Sequence, residues 1–336
     1  MKIAVCYREA IPFSFRNYIE NVTRELIQLG VDITRFKEGD PLPQEADLYW
    51  DPFSGPSYSL KKVKKPLVVS LLGDYGLGIP AEEFYGSHPL ISSLLRFKLK
   101  TRLMYRWWSF RKSCSAIITV SDYSKGVVER HLRLDGKKVF PIYHGVNSDI
   151  FSPSKRKVAS GPAYFLHVSQ YVPPFHHMKN VNRIIEAYAR LSHERKPRLV
   201  LVIPGYPSTE INVKGVELIR RSKTSDELAT LYQGAVGFIF PSLHETFGMP
   251  ILEAMACGCP VITSNVTACP EVAGDAALLV NPRSVDEITQ AMLRLAEDKS
   301  LREELRQKGL ARAKEFTWRK SAEKHLEVFR QVWRGK

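Results

Sequence analysis

Short apolar runs recur along this chain, each long enough for one buried strand, with helical stretches between them. Residues 2–7, 47–50, 67–72, 116–120 and 139–143 form a first series. Runs that are apolar almost throughout predict strands covered on both faces, the condition of a parallel sheet flanked by helices. Between them, residues 17–29 have helical periodicity and stop at Gly30, which suits a left-handed C-terminal cap. The series breaks at a polar stretch, 147–161, which contains Ser152-Pro153-Ser154 and Lys155-Arg156-Lys157 and reads as a linker. It then restarts with 163–168, 199–203, 216–219, 236–240, 261–263 and 277–280. A chain of 336 residues has room for two such units. The expected fold class is α/β, with one domain over 1–150 and a second over 151–317.

Composition narrows the setting. No run of about 18 uncharged apolar residues occurs, so no membrane-spanning helix is expected. The opening Met1-Lys2-Ile3-Ala4-Val5-Cys6-Tyr7-Arg8-Glu9 meets charge too early for a signal peptide and reads as the first buried strand. The five cysteines are odd in number and scattered, and Cys257-Gly258-Cys259 lacks further ligands at zinc spacing. Inert thiols in a reducing cytoplasm are expected, which leaves the sequons Asn21-Val22-Thr23 and Asn265-Val266-Thr267 idle. A net charge of +14, from 49 basic and 35 acidic side chains, favours an anionic partner: a nucleotide, an acidic membrane surface or nucleic acid. Zinc-finger and aromatic RNA-binding patterns are absent, which counts against nucleic acid.

The most specific stretch runs Pro241-Ser242-Leu243-His244-Glu245-Thr246-Phe247-Gly248-Met249-Pro250-Ile251-Leu252-Glu253-Ala254-Met255-Ala256-Cys257-Gly258. Pro250 suits the first turn of a helix, where its missing N–H is needed by no acceptor. Gly258 suits the end of that helix. The reading is strand, loop, short helix, strand, with Glu245 in the loop and Glu253 in the helix. A helix start after a glycine offers free N–H groups and the positive end of a dipole to a phosphate. Two carboxylates flanking that point can accept hydrogen bonds from sugar and ribose hydroxyls.

Residues 228–282 resemble the retaining glycosyltransferases of family 4, which share the GT-B fold of two facing Rossmann-like domains with parallel sheets. The matching residues are Leu231-Tyr232, Pro241-Ser242, Glu245, Phe247-Gly248, Leu252-Glu253-Ala254-Met255-Ala256, Gly258, Pro260-Val261 and Pro270-Glu271-Val272. His144-Gly145-Val146-Asn147-Ser148-Asp149-Ile150-Phe151 resembles the family's inter-domain segment. Phe316-Thr317-Trp318 resembles the step before its last helix, which packs back on the N-terminal acceptor domain over 318–336.

The resemblance implies roles. Glu245 would contact the transferred sugar and Glu253 the ribose, while Phe247, Gly248, Met249 and Leu252 would line the donor. Lys179, in His176-His177-Met178-Lys179-Asn180, would neutralise the donor diphosphate as negative charge builds on the leaving phosphate. Three departures stand out. Gln170 occupies the place of an arginine, and glutamine can hydrogen-bond a phosphate but not neutralise it. Phe13-Ser14 replaces a Gly-Gly loop, where Arg16 would restore positive charge beside Ser14. Gly73-Asp74 replaces a His-Asp pair, leaving Asp74 as the acceptor-side catalytic group. His176 and His177 do not have metal-ligand spacing, and no Asp-x-Asp site is present, so neither metal nor cofactor is expected.

The expected activity is transfer of a hexose from a nucleoside-diphosphate sugar to a glycan or lipid-linked acceptor, with retention of configuration and without a metal. Ser242-Leu243-His244-Glu245 and the segment closing on Val280-Asn281-Pro282 look most like bacterial mannosyltransferases, so GDP-mannose is the first choice of donor and a UDP-sugar the second. A phosphorylase or epimerase of this fold, or a basic nucleic-acid- or lipid-binding protein that has lost catalysis, are the competing readings. Residues 94–112 hold Arg96, Lys98, Lys100, Arg102, Arg106, Arg111 and Lys112 around Trp107 and Trp108. These are the ingredients of an interfacial helix, although their charges fall around most of the helical wheel. A cytoplasmic protein peripheral to the inner face of the membrane is the corresponding expectation.

Overall fold

Both series of apolar runs become parallel sheets, six strands in each among the described residues of this computed structural model. Those residues are 1–336 except 10, 54–57, 62, 81–88, 111–112, 133–137, 155–161, 174, 192–195, 208–210, 212 and 336. The chain divides into two compact units, Met1–Gly145 with Thr317–Lys336, and Val146–Phe316.

The first unit contains β1 (Lys2–Tyr7), α1 (Phe13–Gln28), β2 (Asp32–Lys37), β3 (Leu48–Asp51), β4 (Leu67–Leu71), α2 (Pro89–Phe110), β5 (Cys114–Thr119), α3 (Asp122–His131) and β6 (Lys138–Pro141). Its strand order is β2-β1-β3-β4-β5-β6. The interior strands β3 and β4 are buried at every position, as parallel strands covered by helices must be. Strand β2 has no counterpart in the apolar runs. It lies on the sheet edge and pairs with β1, and only Phe36 of its six residues is fully buried. Exposed charges on an edge strand discourage pairing with another chain. Helix α1 begins four residues before its periodicity suggests, and Gly30 beyond its end has φ +79°.

The last helix of the chain, α10 (Trp318–Arg334), belongs to this unit and packs against α1. A buried polar chain joins them. Trp50 Nε1 donates to Ser70 Oγ at 2.9 Å, and Ser70 Oγ lies 3.0 Å from Tyr18 Oη. Tyr18 Oη is 2.6 Å from His325 Nε2, while His325 Nδ1 donates to the Ser321 carbonyl at 2.7 Å. That carbonyl can only accept, so Nδ1 bears the proton and Nε2 takes the tyrosine hydrogen. Phe329 and Leu326 add apolar contact, each worth about 1.5–3 kcal/mol when buried. At Gly145 a β-carbon would lie 2.1 Å from the Trp318 backbone nitrogen, so no side chain fits.

The second unit contains β7 (Tyr164–Val168), α4 (Val181–Ala189), β8 (Arg198–Val202), β9 (Val216–Ile219), α5 (Ser225–Gly234), β10 (Gly237–Phe240), α6 (Met249–Ala256), β11 (Val261–Ser264), α7 (Cys269–Ala273), β12 (Ala277–Val280), α8 (Val285–Glu297) and α9 (Lys299–Ala313). The order β12-β11-β10-β7-β8-β9 is the doubly wound arrangement of dinucleotide-binding domains. Its order reverses between the neighbours β7 and β10. In such sheets ligands bind beyond the carboxyl ends of the strands at that point. The unit boundary falls at Gly145/Val146, ahead of the 150/151 division expected from composition. Residues 147–154 are part of the second unit: Phe151 is buried against Tyr232, and Gln233 Nε2 donates to the Ser152 carbonyl at 2.7 Å. The basic remainder of the expected linker, 155–161, lies outside the described residues.

Candidate active site

The loops leaving β7 and β10 meet at the switch point. Beyond β7 the chain passes exposed Gln170, makes a short 3-10 turn over Phe175–Lys179, and enters α4. Beyond β10 it runs through Pro241 and Ser242 to Glu245 and then α6. Lys179 Nζ lies 2.6 Å from Glu245 Oε1, with side chains 29% and 12% exposed. The same ammonium stands 5.5 Å from the centroid of the Phe240 ring, a cation–π distance. A pair this sheltered is kept for its geometry more than for stability, because desolvation offsets most of the attraction.

Three residues that the sequence did not single out hold this pair in place. Asn180 is 3% exposed and adopts φ +60°, a left-handed conformation that asparagine tolerates. Its Nδ2 donates to the Pro241 carbonyl at 2.8 Å and the Pro282 carbonyl at 2.6 Å, tying the β7, β10 and β12 loops together. Leu243 N–H donates to the Met178 carbonyl at 2.8 Å, a second tie between the same loops. Thr267, also at positive φ (60°), accepts the Glu245 N–H at 3.2 Å. The only sequence signal for Asn180 was its place beside Lys179, and Thr267 was visible only as part of an idle sequon.

Helix α6 starts after Gly248, which has φ +102° and whose added β-carbon would meet Ile251 at 3.0 Å. Backbone conformation therefore demands glycine here, besides any need for close ligand approach. Met249 opens the helix; Pro250 has no N–H, and the Ile251 N–H donates to the Gly248 carbonyl at 3.0 Å. Glu253 is half-buried on α6 and accepts the Tyr232 hydroxyl at 3.2 Å. Burial raises its carboxyl to about 7, with the Tyr232 bond acting in the opposite direction. Phe247 is buried and packs edge-on against Phe316, so its contribution toward a ligand is limited to its backbone. Leu252, expected to line the donor, is fully buried in the interior, where an apolar side chain on the inner face of α6 must go.

At β7 itself, His167 is fully buried, with Nδ1 2.8 Å from the Ile239 carbonyl and Nε2 2.9 Å from Ser169 Oγ. Burial holds it down to about 4, so it stays neutral and takes the Ser169 hydrogen. It braces the two strands at the switch point.

The N-terminal candidates stand differently. Asp74 is 2% exposed, and its Oδ1 and Oδ2 accept the N–H groups of Gly76 at 2.9 Å and Gly78 at 3.0 Å. Such a carboxylate organises the turn after β4. Ser14 and Arg16 are exposed in the first turn of α1. Phe13-Ser14 is thus helical, where a glycine loop had been the reference, and Pro12 supplies the carbonyl for the Phe15 and Arg16 N–H groups.

Two parallel six-stranded sheets, the second doubly wound with its charged pair at the switch point, define the GT-B fold. Sucrose-phosphate synthase from Thermosynechococcus elongatus matches over the full length of both chains, with a TM-score of 0.77 at 17% identity. Anabaena Alr3699/HepE in complex with UDP-glucose matches 98% of this chain and 100% of its own, with a TM-score of 0.68 at 16% identity. Residues 153–312, nearly the whole second unit, match the family model of glycosyl transferases group 1. O-antigen chain mannosyltransferase B of Escherichia coli is 32% identical over 253 residues, which cover 69% of this chain and 65% of that protein. The chain therefore spans just under two thirds of that relative's length.

Proposed function

We propose that this protein is a glycosyltransferase that moves mannose from a nucleoside-diphosphate sugar, GDP-mannose first, to a glycan or lipid-linked acceptor of a surface polysaccharide. The observation that carries this reading is the Lys179–Glu245 pair at the switch point, with Glu253 on the following helix. The mannosyltransferase named above supports the choice of sugar. The HepE complex keeps UDP-sugars as the comparison donors.

The chemistry follows from the pair. Without ligand, Glu245 neutralises Lys179. An arriving diphosphate carries more charge and competes for the ammonium, which frees Glu245 to accept hydrogen bonds from sugar hydroxyls. As the sugar–phosphate bond breaks, Lys179 stabilises the charge gathering on the leaving phosphate. Glu253, once ionised, holds the ribose diol, and the Gly248–Met249 backbone at the start of α6 serves the phosphates. Front-face displacement lets the departing phosphate take the acceptor proton, so retention needs neither a side-chain base nor a metal. We place the enzyme in the cytoplasm, working at the inner face of the membrane; no helix among the described residues is long and apolar enough to cross one.

A thermal-shift panel of GDP-, UDP-, ADP- and dTDP-sugars tests the donor, because a specific ligand raises the melting temperature by mass action. Stabilisation by GDP-mannose alone, followed by an α-linked product formed in the presence of chelator, is expected. Stabilisation by none of the four would defeat the proposal.

A further inference from the structure

Helix α2 has two apolar stripes, one in the core and one in solvent. Leu103, Trp107 and Phe110 are buried, and Leu99 packs against the same core. On the other side Leu94, Phe97, Tyr105 and Trp108 are 68%, 66%, 68% and 56% exposed. At 100° per residue those four fall within an arc of about 80°, roughly opposite Phe110. Tyr105 and Trp108 stack with ring centroids 6.1 Å apart. Opposed stripes cancel in any one-sided measure of amphipathicity, which is why the helical wheel shows no single wide apolar face.

The charged residues of α2 are all of one sign. Exposed Lys98 and Arg102 border the outer stripe on one side and half-buried Lys100 on the other, and α2 contains no acidic residue. Arg96 and Arg106 do not serve this surface. Both are half-buried, and Arg96 Nη2 donates to the Leu77 carbonyl at 2.9 Å. Arg111 and Lys112 lie outside the described residues.

We propose that this stripe docks α2 on an anionic lipid bilayer, with Leu94, Phe97, Tyr105 and Trp108 entering the interfacial layer and Lys98 and Arg102 meeting headgroup phosphates. Large apolar and aromatic side chains flanked by cations are the chemistry of an interfacial helix. A second copy laid on the same face would set Lys98 and Arg102 of both chains side by side, with no carboxylate on the helix to answer them. This inference rests on the membrane placement above and is independent of sugar transfer, since lipid binding is read without donor or acceptor.

The test is co-sedimentation of the full chain with vesicles of phosphatidylcholine alone or mixed with phosphatidylglycerol. Binding to the anionic vesicles is expected, weaker on neutral ones and reduced by salt. Phe97→Ser with Trp108→Ser should lower partitioning about ten-fold or more, and Lys98→Ser with Arg102→Ser should do so on anionic vesicles. All four side chains are largely solvent-facing, so circular dichroism and donor hydrolysis should be unchanged. Quenching of tryptophan fluorescence by brominated lipid should be lost in Trp108→Phe while binding persists. No binding to anionic vesicles at low salt overturns the proposal, as does wild-type partitioning of the Phe97/Trp108 variant. So does a stable dimer that this variant dissociates, or retention on RNA that outlasts lipid competition.

Discussion

At the carboxyl ends of β7 and β10 a lysine and a glutamate from distant loops pair with each other; at the carboxyl ends of β3 and β4 the carboxylates bind backbone N–H groups a few residues away. In the second unit Lys179 and Glu245 come from segments 66 residues apart, and Glu253 is pushed up to about 7 by burial. In the first unit Asp74 accepts two glycine N–H groups, and buried Asp51 accepts the Phe53 N–H at 3.2 Å. Arg8 pairs with Glu38 at 2.8 Å over the Phe53 ring. Both units are parallel sheets with an ion pair beside their strand ends, and the second adds on α6 a carboxyl that burial raises to about 7. Charges that a ligand can recruit distinguish a chemical site from a well-built loop.

Acid should produce the largest difference between the two units. Burial holds His144 down to about 3 and His325 to about 4, both from 6.5, within the first unit. Each is neutral when folded and takes a proton on unfolding, so stability is intact above pH 6.5 and falls as pH drops toward 4. The slope is about 1.4 kcal/mol per pH unit for each histidine, or about 5 kcal/mol for the pair over two units. In the second unit His167 acts with the same sign. Glu253, raised from 4.5 to about 7, opposes it, because the folded form keeps a proton that the unfolded chain releases. The first unit should therefore yield to acid before the second. All five tryptophans (Trp50, Trp107, Trp108, Trp318 and Trp333) lie in the first unit, so their fluorescence should change at higher pH than the remaining circular dichroism. Coincident transitions would remove this contrast.

Lys179→Ala comes next, with turnover expected to fall about 10²–10³-fold. Binding of the nucleoside monophosphate should be nearly unchanged, since the lost cation acts on the diphosphate. A loss of only a few-fold in turnover would leave the second unit no more committed to chemistry than the first. Glu253→Gln should weaken nucleotide binding by about ten- to a hundred-fold through the ribose bonds. Wild-type affinity should rise with pH through about 7 as Glu253 ionises, and the variant should be flat. Equal GDP binding by both proteins would show the ribose assignment to be wrong. The smallest effect belongs to Asp74→Asn, which should cost about 1–2 kcal/mol of stability as one N–H loses its carboxylate. Transfer rate should stay within about three-fold. A large drop in rate with unchanged melting temperature would place a catalytic carboxylate in the first unit after all.

Much of this was legible in the residues, for reasons that can be traced. Strands buried on both faces announce themselves as apolar runs, so most strands of both sheets stood out. Strand β2 did not, because an edge strand needs only Phe36 inside and can fill its other positions with charge. The Glu245-to-Glu253 loop was legible because Pro250, Gly248 and Gly258 obey local backbone rules. Asp74 was legible only as a carboxylate after a strand, and its bonds to the Gly76 and Gly78 N–H groups are visible only in the structure. Trp107 and Trp108 are adjacent letters, and only packing sends the first into the core and leaves the second 56% exposed.

By itself, then, the chain determined what depends on neighbours in sequence: strand and helix periods, the glycines that permit positive φ, and the absence of acidic side chains on α2. Tertiary structure alone decided which groups separated by long stretches of chain would meet. His325 reaches Tyr18 across 307 residues, Asn180 reaches Pro282 across 102, and Lys179 meets Glu245 across 66. Those meetings follow from the order of strands in each sheet, which is fixed by how whole layers bury their apolar faces and not by the spacing of residues along any one segment.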